Sequence, residues 1–190
     1  MTGIGKRSEE TRLSTGDTAG RRGHREEVRD FAVRTQKLTM YQIAEFVSML
    51  ACALFTGAAI YINLVEHPAR MQCGVELAAT EFAPSYRRAT VMQATCAAVG
   101  LLSSIAAWLA GATIWWLIGG VVLGSVIPFT LLVISPTNKR LLSPTLDRRS
   151  VEAERLLARW NTLHAVRSVL SGMSLLLFLY LAIFEKTVEH

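Results

Sequence analysis

Four apolar runs of nearly equal length follow a polar lead-in. They read "YQIAEFVSMLACALFTGAAIYIN" from residue 41, "VMQATCAAVGLLSSIAAWLA" from 91, "IWWLIGGVVLGSVIPFTLLVI" from 114 and "AVRSVLSGMSLLLFLYLAIF" from 165. As a helix, about 20 residues cross a hydrocarbon core. A lone strand would leave its backbone groups unpaired in lipid. The pattern therefore predicts an all-α integral membrane protein, a four-helix up-down bundle with spans at about 41–63, 91–110, 114–134 and 162–184. "GAT" between the second and third runs predicts a tight antiparallel hairpin. Long loops, 64–90 and 135–160, are expected on the other face, where most of the prolines fall. The last helix is expected to start early, near Ser150, as an amphipathic stalk. Pro128 should kink the third span.

The lead-in, residues 1–39, carries nine basic and six acidic side chains and one aromatic. It buries too little apolar surface to offset ordering, so it reads as a disordered tail with helical character near 24–38. It lacks the apolar core of a secretory signal. Met40 is an alternative start, which leaves 40–190 as the transmembrane domain. The net charge of +5 sits in the tail, the loops and the helix ends, which fits membrane topology and anionic headgroups and not a nucleic-acid surface. Counting basic residues with Met40 as the start makes the long loops cytoplasmic, in a plasma membrane; with the full tail the two faces nearly tie, and cytoplasmic long loops remain the expectation. The three cysteines form no CxxC pair and no disulfide framework.

Polar positions inside the spans carry the chemistry. Glu45, Ser48, Cys52, Thr56, Asn63, Glu66 and His67 fall within about 100° of arc on the first helix, a stripe that should face the bundle interior. Up-down topology then brings four helix ends to one mouth: "INLVEHPAR", "APSYRRATVMQ", "VISPTNKR" and "ARWNTLHAVRS". His164, Arg167, His67 and Glu66 are the candidate catalytic residues; Trp160, Asn63, Asn138, Thr137, Tyr86 and Gln93 are the candidate substrate-binding ones. A histidine beside an arginine suits proton abstraction from an acidic C–H or a phenol, with the arginine holding the anion. No cofactor is expected. A metal held by His67, His164 and Glu66 is the alternative, weakened because no HxxH or ExxH pair lies on one helix. The bland reading makes Trp160 and Tyr86 interfacial belt residues and Arg167 a helix lock on Glu66 or backbone carbonyls.

"PFTLLVISPTNKRL" and "RWNTLHAVRS", with "AIYINLVEHPAR" and "YRRATVMQA", resemble the anthrone oxygenase-like family of small four-helix membrane proteins, in its bacterial branch. The resemblance puts Thr137, Asn138, Trp160, His164 and Arg167 at the family's motif positions. It implies oxidation of a lipid-soluble aromatic or phenol, as fungal polyketide-pathway members are linked to converting anthrones to anthraquinones without an obvious cofactor. Bacterial members are mostly of undefined function, so a non-enzymatic binding or assembly subunit is the competing expectation, and a small transporter a weaker one. Expected partners are membrane lipids and a hydrophobic small molecule, with no nucleic acid and with oligomers open.

Overall fold

A computed structural model describes residues 5–185, with side chains described at 25, 27–36 and from Thr39 onward. Among the described residues the chain is helical throughout its regular structure, with no strand. It comprises α1 (Gly5–Tyr61), a π turn (Ile62–Glu66), α2 (His67–Gln72), α3 (Val75–Ala110), α4 (Ile114–Gly124), α5 (Val126–Phe129), a second π turn (Thr130–Ile134), α6 (Ser135–Leu141) and α7 (Val151–Phe184). Four continuous helical runs are long and apolar enough to cross a membrane: Glu27–Gln72, Val75–Ala110, Ile114–Leu141 and Val151–Phe184. The protein is a multi-pass helical membrane protein.

α1 starts at Gly5, ahead of the first span, and covers the stretch near 24–38 where helical character was expected. Its described side chains at 25 and 27–36 are exposed. Arginine and glutamate favour a helix, and spacings such as Asp30 to Arg34 place opposite charges one turn apart. The expectation for residues 1–4 lies outside the described residues. Residues 1–40 and 41–190 are separate compact units, and the second is the bundle.

The two segments expected as long loops are mostly helix. Residues 64–72, 75–90, 135–141 and 151–160 extend the four helices, leaving a turn at 73–74 and a loop at 142–150. Proline misled the reading. Pro68 and Pro136 sit in the first turn of α2 and α6, each just after a π turn. In each π turn an N–H reaches back five residues, His67 to the Ile62 carbonyl and Ser135 to the Thr130 carbonyl. The wider turn moves the carbonyl that the proline ring would strike, so the helical course continues. Two expectations hold as stated. Gly111 caps α3 at φ 117°, a left-handed conformation suited to glycine, and Ser150 caps α7 by accepting from the Ala153 N–H at 3.2 Å. The third run breaks between α4 and α5, just ahead of Pro128.

In lipid the hydrophobic effect does not press helices together, so small residues and interhelical hydrogen bonds do. α4 packs against both α3 and α7. α1 closes the square: Ser48 donates to the Gly100 carbonyl of α3 at 2.9 Å and also pairs with Ser104, and Cys52 lies 3.6 Å from the Ser171 carbonyl of α7. Ser174 of α7 donates to the Gly119 carbonyl of α4 at 2.7 Å. A side chain at Gly120 would run into Ser104, and one at Gly119 into the Phe178 ring. Gly120→Val is therefore expected to cost about 1–3 kcal/mol through overpacking. Its unfolding midpoint in micelles should fall clearly below that of Gly57→Ala, since no atom crowds Gly57.

Candidate functional site

At the end of the bundle opposite the 111–113 hairpin, the first π turn, α2, the start of α3, α6 and the start of α7 come together. The backbone course decides what they present. The π turn carries Asn63 toward α7, where its amide nitrogen donates to the Asn161 side-chain oxygen at 2.8 Å and to the Asn161 carbonyl at 3.1 Å. Both acceptors are oxygens, which fixes the orientation of the amide. The Asn63 oxygen therefore accepts, from Ser168 at 2.6 Å and from His164 Nδ1 at 2.9 Å. His164 carries its proton on Nδ1, and the lone pair is left on Nε2.

His164 is buried beneath Trp160, with ring centroids 4.8 Å apart. Trp160 also meets His67 at 5.8 Å and the edge of Phe82 at 5.3 Å, and Phe82 stacks on Tyr86 at 5.6 Å. The Tyr86 hydroxyl accepts from the Asn138 amide at 3.2 Å. One turn further along α7, Arg167 donates to the Gln93 side-chain oxygen at 2.7 Å and places its guanidinium 5.3 Å from the Phe55 ring centre. A cavity of about 20 Å³ opens between these groups, bounded by Tyr86, Gln93, Trp160, His164 and Arg167. That is room for about one water. Gln93 Nε2, Asn138 Oδ1, His67 Nδ1 and Arg167 Nε are buried and find no hydrogen-bond partner among the described residues. Two of these atoms, Gln93 Nε2 and Arg167 Nε, belong to residues on the cavity wall, where an unmet polar atom asks for a partner.

The ten residues singled out from the sequence do not all share one wall. Tyr86, Gln93, Trp160, His164 and Arg167 face the cavity. Asn63 and Asn138 stand behind it and hold His164 and Tyr86. His67 packs against Trp160, and Thr137 is buried, neither on the cavity wall. Glu66 is not on the wall but is bound to two residues that are, Arg70, whose Nε lies 2.9 Å from Glu81, and Ser85, which donates to Glu66 at 3.0 Å. The expectation that Arg167 locks onto Glu66 is thus replaced by its bond to Gln93, because Arg70 sits one turn from Glu66 and takes it first. Among the described residues no three His, Cys, Asp or Glu side chains gather as a metal-holding group.

The family model for anthrone oxygenase matches residues 82–177, just over half of the chain. The chain belongs to the anthrone oxygenase family. The matched stretch holds Tyr86, Gln93, Asn138, Trp160, His164 and Arg167, while Asn63 and Arg70 lie ahead of it. A curated relative, anthrone oxygenase tpcL of Aspergillus fumigatus, is 37% identical over 78 residues, 40% of this chain and 48% of the relative. The chain therefore aligns with about half the length of that relative. No solved structure matches it.

In this member of the anthrone oxygenase family, sequence reasoning missed Ser168, Phe55 and the pairing of Arg70 with Glu66 and Glu81 beside Ser85. Ser168 follows His164 by one helical turn, a spacing that signals a shared face. Phe55 carried no signal, since in an apolar run a buried phenylalanine reads the same as a lipid-facing one. Arg70→Ala is expected to lower the thermal unfolding midpoint, because it leaves Glu66 without its guanidinium partner. Restoration by Glu66→Gln in the same chain is the check.

Proposed function

We propose that the protein is a membrane oxygenase that removes a proton from an acidic carbon of a lipid-soluble aromatic ketone or phenol, so that dioxygen oxidises the resulting anion. The observation that carries the reading is His164, whose Nδ1 is held by the Asn63 side-chain oxygen so that Nε2 is the nitrogen left over, in the same cavity as Arg167. Family membership and the name of the fungal relative support the substrate class. His164 takes the proton, and the carbanion delocalises onto the ring-bound oxygen, where Arg167 stabilises the charge in a site shielded from water. Dioxygen adds to the carbon, and loss of water from the hydroperoxide gives the quinone. For an anthrone, one dioxygen is consumed, and one quinone and one water are formed. The test supplies anthrone in air to the protein in lipid nanodiscs and follows quinone by absorbance and oxygen by electrode. Equimolar quinone and oxygen use above a protein-free disc is expected. A rate equal to that of the empty disc overturns the reading.

We also place the site-bearing end on the cytoplasmic side, supported by the basic residues there, among them Arg70, Arg140, Arg148 and Arg149. Cys73, exposed in the turn between α2 and α3, reports on this. A membrane-impermeant maleimide should modify it only after cells are opened; labelling of intact cells contradicts the orientation.

A further inference from the structure

Beside the small cavity lies a second one of about 120 Å³, against about 20 Å³ for the first. Phe55, Ala97 and Val126, all buried, line its inner surface, and Ala94, Ile127 and Leu131 form the rim. The surroundings of the rim are apolar and exposed on membrane-spanning helices: Val91 is 70% exposed, Leu131 67% and Leu132 77%. Such a surface faces acyl chains. One side of this second cavity is polar and shared, because Tyr86, Thr90, Gln93 and Arg167 border both cavities.

That wall states what it would accept. Gln93 is 2% exposed, and its oxygen is occupied by Arg167, so the atom left without a partner is the donor Nε2. Arg167 Nε, also buried and without a hydrogen-bond partner among the described residues, is a donor too. Two buried donors call for an oxygen that carries no proton. The alanines at 94 and 97 leave a slot beside the Phe55 ring, which suits a flat apolar body.

Resting on the function proposed above, we infer that the substrate enters sideways from the bilayer into this recess, as a planar aromatic whose carbonyl or phenolate oxygen is held by Gln93 and Arg167. The ring system then lies along the shared wall, with its oxygen on Gln93 and Arg167, its reacting carbon (across the central ring from that oxygen) toward the small cavity bordered by His164, and one flank toward lipid. Entry past the buried Trp160, between the helix ends, is not the route.

Benzophenone, a lipid-soluble aromatic ketone that cross-links on illumination, serves as the probe with the full chain in nanodiscs. Adducts are expected on residues 90–97 and 126–131. Ala94→Trp fills the rim and should lower both cross-linking and quinone formation at least about tenfold, as overfilling a fitted site does. Leu131→Trp, at an exposed position that does not disturb the fold, should do the same. His164→Gln should keep the cross-link while losing turnover. Undiminished cross-linking in both tryptophan variants, or adducts confined to residues 138–160, overturns the recess. The two proposals separate cleanly. Cross-linking at 90–97 without any quinone from the unaltered protein retains the recess and removes the oxygenase; full quinone formation in both tryptophan variants does the reverse.

Discussion

Alanine at position 164 is expected to slow quinone formation by about 10²–10⁴-fold, the usual contribution of a positioned general base. The loss should fall on kcat, because His164 contributes only part of the cavity wall and the apolar body of the substrate binds elsewhere. Substitution need not unfold the bundle. Asn63 keeps its donor contacts to Asn161 and still accepts from Ser168 at 2.6 Å. His164→Gln sharpens the experiment, since glutamine can donate toward Asn63 but offers no basic nitrogen near neutral pH. Both variants, assayed in nanodiscs beside the unaltered protein, should unfold near its midpoint and turn over slowly. Turnover at the unaltered rate in both removes the base role.

Arg167→Met carries the second large effect, an expected fall of about 10²–10³-fold in kcat, the size seen when a donor to a developing oxyanion is lost. Methionine keeps much of the length and the contact with Phe55, so packing is largely conserved. What disappears is the guanidinium that bonds Gln93 at 2.7 Å and offers Nε to the site. Arg167→Lys should recover only part of the rate, since an ammonium restores charge but not the planar fork that serves Gln93 and an oxyanion together. Steady-state kinetics on the three proteins decide the matter. Full recovery by lysine would mean that charge alone suffices, and an unchanged rate in Arg167→Met would exclude the anion-stabilising role.

The bundle was legible because lipid imposes helices of a set length, and the glycine at 111 and serine at 150 mark turns whose chemistry is local. Up-down connectivity alone brought the right four ends together. The helical extension of those ends was not legible. Pro68, Pro84 and Pro136 look like breakers in a sequence, yet two of them begin helical turns after a π turn, and Pro84 lies inside α3. Pairing among the polar residues was legible only in part. Trp160, His164 and Arg167 share a helix face, but the choice between Glu66 and Gln93 as partner for Arg167 depends on where Arg70 lies. No periodicity encodes that competition. Gln93 was singled out by its place at a helix end, but its unmet donor shows only in three dimensions, as does Phe55 as the surface beneath a cation.

The claim that His164 acts as a base on an acidic carbon can be measured without oxidation. Anthrone held with the protein in nanodiscs, in deuterated water and without dioxygen, should exchange its benzylic hydrogens for deuterium faster than in empty discs, as followed by mass spectrometry. With His164→Gln the exchange should fall to the empty-disc rate. Equal exchange with and without His164, or none above background in the unaltered protein, contradicts the account.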